Sequence, residues 1–298
     1  MSSRRTTVLV VLVLLVGVLL AAIPGSNAGA ATHRYYLSLG DSVAAGWQPD
    51  PVTGESDFTR QAYTDQIFWT LRLGMPGLLH AKMGCPGETT ASMIDGGGPA
   101  GALCGYTGTS QLDAAVAFIA AHPGQVAFIT IDIGVNDVLS CLPAADVPAC
   151  VTALLPQVGA GLAEILTTLR TATANAVPIV GMNYYNPYLA AWLEGIPPDG
   201  AAGPAYAALT SQLAMALNDQ TLEPVYALFQ VPVADVWAAY RSSQWQMVMG
   251  APFNVQRICA LTWMCANPPV GPNIHPNRRG HRVIANTFLP ILETLGIG

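Results

Sequence analysis

Charged residues are scarce in this sequence: Asp, Glu, Lys and Arg make up 10% of its 298 residues, against roughly 25% in an average soluble protein. No cluster of Lys and Arg occurs that could neutralise a row of phosphates, because Arg278-Arg279 is an isolated pair and the formal net charge is −6. We therefore expect no nucleic-acid partner. No phosphate-binding loop and no Cys-x-x-Cys or His-x3-His spacing is present, so we expect no cofactor and no metal.

Long apolar runs are also lacking, with one exception at the start of the chain. The segment from Val8 to Ile23 follows Arg4 and Arg5 and precedes small residues up to Ala30. This order is typical of a secretory signal peptide, so we predict a leader over residues 1–30 and a secreted domain over 31–298. Retention as an anchor is the alternative, although 16 apolar residues fall short of the roughly 20 that span a bilayer. After cleavage we expect a monomer without stable membrane insertion.

The six cysteines form an even set in a chain predicted to be exported, which favours disulfides over metal ligands. Fifteen connectivities are possible for six cysteines. We expect the short-range scheme, in which each cysteine pairs with its neighbour along the chain: Cys85 with Cys104, Cys141 with Cys150, and Cys259 with Cys265.

Beyond the leader, strand-like and helix-like segments alternate. Apolar or β-branched runs predict strands over Tyr35–Leu39, Leu78–Met83, Gln125–Ile133 and Pro178–Met182. Helical spacing predicts helices over Ala62–Leu73, Gln111–Ala121, Leu154–Ala174, Tyr206–Leu217 and Arg279–Leu295, the last broken at Pro290. This alternation predicts a three-layer α/β/α sandwich around a central parallel sheet, with ligands bound beyond the carboxyl ends of its strands.

Four short segments carry residues suited to acyl transfer: Gly40-Asp41-Ser42, Cys85-Pro86-Gly87-Glu88-Thr89, Gly134-Val135-Asn136-Asp137 and His275-Pro276-Asn277. Each segment by itself is an ordinary turn sequence. In this order they resemble the four blocks of the GDSL or SGNH hydrolases, and the resemblance covers about residues 35–290. The six cysteines and the Cys-Pro-Gly segment further resemble secreted esterases and lipases of actinobacterial type.

The resemblance implies a role for one residue in each block. Ser42 is expected to be the nucleophile, and His275 the base that takes its proton. The backbone N–H of Ser42, the backbone N–H of Gly87 and the side-chain amide of Asn136 are expected to form the oxyanion hole.

The chain departs from the family pattern at two places. Pro272 stands where the family usually has an Asp three residues before the histidine, so we expect a Ser-His dyad whose imidazole is oriented by a main-chain carbonyl such as that of Pro272. Lys82 stands where many relatives have Asn. His281 is a rival base, although its position at the opening of the last helix suits packing better. Asp41 is expected to hold its loop by accepting backbone N–H bonds.

The expected function is hydrolysis of a carboxylic ester with an aliphatic acyl chain, because the family acts on lipid esters. Apolar and aromatic residues are frequent in the predicted loops and serve equally as core or pocket lining: Trp47, Met83, Met93, Tyr184, Tyr185, Trp192, Trp263 and Met264. Two alternatives stay open at this point, a carbohydrate acetylesterase of the same fold and a non-catalytic lipid or glycan carrier.

Overall fold

A parallel five-stranded sheet forms the centre of the computed structural model, which describes residues 34–97, 103–106, 108–193 and 203–298. The strand order across the sheet is β4-β1-β5-β6-β7. These strands are β1 (Arg34–Gly40), β4 (Leu78–Lys82), β5 (Val126–Asp132), β6 (Ile179–Met182) and β7 (Val233–Ala234). The parallel sheet predicted from the alternation is confirmed, whereas the predicted leader over residues 1–30 lies outside the described residues.

Helices flank this sheet and form two packed groups. The helices are α1 (Ser42–Ala45), α2 (Tyr63–Leu71), α3 (Thr90–Asp95), α4 (Gln111–Ala121), α5 (Val135–Leu139), α6 (Val147–Ala172), α7 (Pro204–Leu217), α8 (Glu223–Leu228), α9 (Val236–Ala239), α10 (Phe253–Leu261) and α11 (Arg278–Thr294). Helix α11 packs on α2 and α9, whereas α6 packs on α3, α4 and α8. Strand β5 is buried almost throughout, as expected for a parallel strand that is covered on both faces.

Short antiparallel pairs lie outside the main sheet. They are formed by β2 (Trp47–Pro49) with β3 (Ser56–Phe58), β8 (Met247–Val248) with β9 (Ala251–Pro252), and β10 (Thr262–Trp263) with β11 (Asn273–Pro276). A short 3-10 helix follows β6 at Pro187–Trp192. The third pair matters most for the site, since β11 carries His275.

Two features of the helices differ from the sequence prediction. Helix α11 continues through Pro290, so the predicted break is wrong. Phe288 and Leu292 are both buried on either side of the proline, and this packing offsets the backbone N–H that proline lacks. Helix α6 begins seven residues earlier than predicted, at Val147, and includes Pro156. By length and composition α6 could cross a membrane, but one of its faces is buried in the core.

The six cysteines are paired as predicted, with disulfides Cys85–Cys104, Cys141–Cys150 and Cys259–Cys265. The first disulfide holds the loop after β4. The third joins two cysteines six positions apart in the sequence and closes a short loop that contains β10. Closing such loops restricts the unfolded chain more than it adds to the core. Two of the three disulfides therefore brace loops that lead into the candidate site.

Candidate active site

Ser42 lies at the sharp turn where β1 passes directly into α1. Asp41 is the N-cap of α1, and its Oδ1 accepts a hydrogen bond of 2.8 Å from the backbone N–H of Val43. The expected role of Asp41 in holding the loop is thereby confirmed. Gly40 makes the turn possible, because its φ is +137° and a Cβ at this position would lie 1.5 Å from Oδ1 of Asp132. The turn leaves Ser42 in the first helical position, where a backbone N–H has no intrahelical acceptor.

His275 lies on β11, and its ring is oriented by a side chain rather than by the main chain. Nδ1 of His275 is 2.8 Å from Oδ1 of Asn273, and the same oxygen accepts the backbone N–H of His275 at 3.0 Å. Because a backbone N–H can only donate, this atom of Asn273 is the carbonyl oxygen, and Nδ1 must donate to it as well. The prediction that the Pro272 carbonyl orients the ring is therefore wrong.

Two adjacent tyrosines connect the segment of Ser42 with that of His275. The hydroxyl of Tyr184 donates to Oδ2 of Asp41 at 2.7 Å, and the hydroxyl of Tyr185 donates to the carbonyl of Ile274 at 3.0 Å. Helix α1 also packs directly against β11. The nucleophile candidate and the base candidate, 233 positions apart in the sequence, thus lie on elements in contact.

The two remaining blocks meet at the same edge of the sheet. The backbone N–H of Cys85 donates to the carbonyl of Gly40 at 2.9 Å, which extends the ladder between β4 and β1 toward Gly87. Gly87 has a φ of +79°, and apart from its two chain neighbours none of the described residues lies within 4 Å of its Cβ position. The side-chain amide of Asn136 donates to the carbonyl of Glu88 at 2.9 Å. One amide hydrogen of Asn136 is used in this bond, and the other is left for a further acceptor.

Comparison with known proteins gives a family for this arrangement. The GDSL-like Lipase/Acylhydrolase family matches residues 38–283. The chain belongs to this family. As a member it is an ester hydrolase, and its parallel sheet is the fold of that family. Comparison with curated proteins yields no match.

Solved structures with the fold of this GDSL-like hydrolase include a lipase, a carbohydrate acetylesterase and a phospholipase. An extracellular lipase from Streptomyces rimosus is 19% identical, with a TM-score of 0.54. A carbohydrate acetylesterase from Sinorhizobium meliloti is 14% identical, with a TM-score of 0.53. Phospholipase A1 from Streptomyces albidoflavus is 16% identical, also with a TM-score of 0.53. Each alignment covers 88% of this chain and 99% of the other chain.

The electrostatics of the GDSL-like site are dominated by burial. Burial lowers the pKa of His275 to about 4, so its imidazole is neutral over most of the pH range. With Nδ1 donating to Asn273, the neutral ring carries no proton on Nε2. Burial also raises the pKa of Asp41 to about 7 and raises that of Asp132 well above its usual range. Of these three groups, only His275 is an uncharged group that can accept a proton.

The rival base and the other singled-out residues have different partners. His281 is fully buried, and its Nδ1 accepts the backbone N–H of Tyr63 at 3.1 Å, which fits packing rather than catalysis. Lys82 forms an ion pair of 2.7 Å with Asp65. Neither of these contacts involves Ser42 or His275.

Gln111 and Asn273 both contact the predicted site segments, but the sequence motifs do not include either of them. Gln111 is the first residue of α4, and its side-chain amide bonds to the N–H and the carbonyl of Gly40 at 2.7 and 2.9 Å. Asn273 lies two residues before His275, a spacing that could have suggested it as the missing acceptor. Gln111 offered no comparable signal, since it lies 69 positions after Ser42 in the sequence.

An apolar cavity of about 50 Å³ lies beside the site. Val135, which precedes Asn136, lines one part of it, and Tyr184 and Tyr185 line another part. Leu213 and Leu217 of α7 contribute further apolar surface. Since the two tyrosines bond to Asp41 and Ile274, the cavity borders the neighbours of both Ser42 and His275.

Proposed function

We propose that this GDSL-like hydrolase cleaves carboxylic esters through an acyl-enzyme on Ser42, with His275 as the general base. The observation that carries the proposal is the pair of hydrogen bonds from His275 to Oδ1 of Asn273. They fix the tautomer with a free Nε2, which is the atom that must accept the proton of the serine hydroxyl. Asn273 replaces the Pro272 carbonyl as the proposed orienting group.

The reaction proceeds in two acyl transfers. Oγ of Ser42 attacks the ester carbonyl while Nε2 of His275 removes its proton, and the proton then passes to the departing alcohol. Water repeats the sequence on the acyl-enzyme and releases the acid. The proposed donors to the negative oxygen are the N–H groups of Ser42 and Gly87 and the amide of Asn136. Loss of one such donor lowers the rate on the order of 10²- to 10³-fold.

The cavity beside the site supports a short apolar acyl group. Its volume of about 50 Å³ is about a third of that of an engineered apolar cavity, roughly 150 Å³, that holds benzene. A chain longer than a few carbons would have to extend beyond this lining. We expect kcat/KM for nitrophenyl esters to be highest for acetyl to butyryl chains and to fall for decanoyl, with Ser42→Ala inactive on all. A maximum at decanoyl or longer would contradict this acyl site.

A carbohydrate acetylesterase is the second candidate, because the same small cavity would hold an acetyl group. Release of acetate from acetylated sugars, measured beside nitrophenyl acetate, distinguishes the two candidates. A kcat/KM that is higher for the sugar by tenfold or more would favour the carbohydrate enzyme. A non-catalytic carrier would leave Ser42 unlabelled by a fluorophosphonate, whereas we expect labelling of Ser42 alone.

We further propose export of the mature enzyme. Three disulfides and the leader pattern over residues 1–30 support it. N-terminal sequencing of protein recovered outside the producing cells should give a start close to residue 31. A start at Met1, with the protein retained on the membrane, would indicate an anchor instead.

A further inference from the structure

One buried side-chain pair contacts two of the segments that carry the site. The side-chain amide of Gln111 donates to Oε2 of Glu88 at 2.8 Å, in addition to its two bonds with Gly40. We call these two side chains the Gln111–Glu88 clamp. Gln111 is 1% exposed and Glu88 2% exposed, so water does not compete for these hydrogen bonds and each lost bond leaves a buried polar group unpaired.

The orientation of the Gln111 amide is fixed by its partners. The backbone N–H of Gly40 can only donate, so Oε1 faces it, and the carbonyl of Gly40 can only accept, so Nε2 faces that group. The second hydrogen of Nε2 goes to Glu88. The amide therefore uses its oxygen and both hydrogens at once, and a flipped amide would lose all three bonds.

The clamp reaches each of the proposed oxyanion donors through one short connection. Gly40 lies two residues before Ser42 in the turn. Glu88 directly follows Gly87, and its carbonyl accepts the side-chain amide of Asn136. The other carboxylate oxygen of Glu88 accepts the hydroxyl of Ser92 at 2.5 Å, which ties the loop to α3. Moving the clamp would shift three donors relative to one another.

We infer that the Gln111–Glu88 clamp is a positioning device that sets the geometry of the oxyanion hole of this hydrolase. The inference rests on the proposed function. Donors aimed at the developing oxyanion act mainly in the transition state, so their misplacement lowers kcat and leaves KM nearly unchanged. A purely structural role would lower the melting temperature without such a selective effect on kcat.

The first test replaces the amide with an apolar side chain of similar length. We expect Gln111→Met to lower kcat by about 10- to 100-fold, with KM within about twofold of wild type. Gln256→Met is the control, because the Gln256 amide also bonds to two backbone carbonyls, those of the half-buried Val248 and Ala251, on a hairpin that takes no part in the clamp. It should lower the melting temperature and leave kcat unchanged.

Gln111→Glu provides a second test that needs a smaller change in shape. Two carboxylates then face each other at neutral pH, whereas at lower pH one of them binds a proton and can donate a hydrogen bond to the other. We expect kcat of this variant relative to wild type to rise several-fold between pH 8 and pH 5.5. Adding Glu88→Gln should raise the kcat of Gln111→Glu at pH 8, since an amide again faces a carboxylate.

Distinct results separate failure of this inference from failure of the proposed function. If wild type hydrolyses esters and Ser42→Ala does not, a kcat of Gln111→Met within twofold of wild type overturns the inference that the clamp positions the oxyanion donors. Where Gln111→Met does not fold, a pH-independent ratio for Gln111→Glu overturns it equally. Undiminished hydrolysis by Ser42→Ala would refute the proposed function instead, whatever the clamp variants show.

Discussion

Burial lowers the pKa of His275 from 6.5 to about 4, and with His275 as the proposed base we expect this shift to set the lower pH limit of activity. A base must be unprotonated to accept the proton of Ser42, so the rate follows the neutral fraction of the imidazole. At pH 5 that fraction is about 90% for a pKa of 4, but only about 3% for an unshifted histidine. The structure therefore predicts a rate at pH 5 roughly 30-fold higher than an exposed histidine would allow.

The assay is kcat/KM of a short-chain ester from pH 3.5 to 9, read by a product signal that does not depend on pH. We expect a plateau that extends down to about pH 5 and an acid limb near pH 4. Asp41 also titrates, with a pKa of about 7, so Asp41→Asn is measured in parallel. An inflection near pH 7 that vanishes in this variant belongs to Asp41. An acid limb between pH 6 and 7 that persists in it would refute the burial argument.

Asn273→Asp tests the same reasoning from the opposite direction. A carboxylate in place of the neutral amide stabilises the protonated imidazole, so the acid limb should shift to a higher pH by about one pH unit or more. Asn273→Leu removes the acceptor of Nδ1 and should lower kcat strongly, because the ring loses its fixed tautomer. An acid limb at the same pH in Asn273→Asp would show that residue 273 does not contact the base during turnover.

Other predictions follow from the turn, the disulfides and the buried acid. Gly40→Ala should abolish folded, active protein, because its Cβ would lie 1.5 Å from a carboxylate oxygen of Asp132 on β5. Gly77→Ala should be tolerated, because apart from its chain neighbours no described atom lies within 4 Å of the new Cβ. Replacing Cys259 and Cys265 with Ser should lower the free energy of unfolding by about 2 kcal/mol. It should also reduce activity, since β10 pairs with β11, the strand that carries His275. Burial raises the pKa of Asp41 above its unfolded value, so its contribution to stability is fully present below pH 4 and is lost as the pH rises through about 7; Asp41→Asn should flatten the melting temperature between pH 5 and 8.

The main sheet could be predicted because its strands are apolar over most of their length. Val126–Asp132 is buried almost throughout, and such runs are rarely anything other than central strands when helices alternate with them. Strand β7 has only two residues, too few for any periodic signal. Helix α11 passes through Pro290 because tertiary packing outweighs local propensity there, which the sequence pattern alone does not reveal.

The candidate site could be predicted only where its residues lie in short family-like segments. The resemblance of the segments around Ser42 and His275 to two blocks of the family is what singles these residues out. Their supporting contacts depend on side chains brought together from distant elements, as with Gln111 and Glu88. The absence of the family's Asp predicts a main-chain acceptor such as the Pro272 carbonyl, whereas Asn273 reaches the ring with its own side chain.

The most direct measurement of the central claim is mass-spectrometric mapping of the covalent adduct formed with a fluorophosphonate, followed over time. A single adduct on Ser42 is expected in wild type, none in Ser42→Ala, and labelling slowed by at least 100-fold in His275→Ala that retains the wild-type melting temperature. An adduct on a different residue, or equally fast labelling without the imidazole, would contradict the proposed dyad.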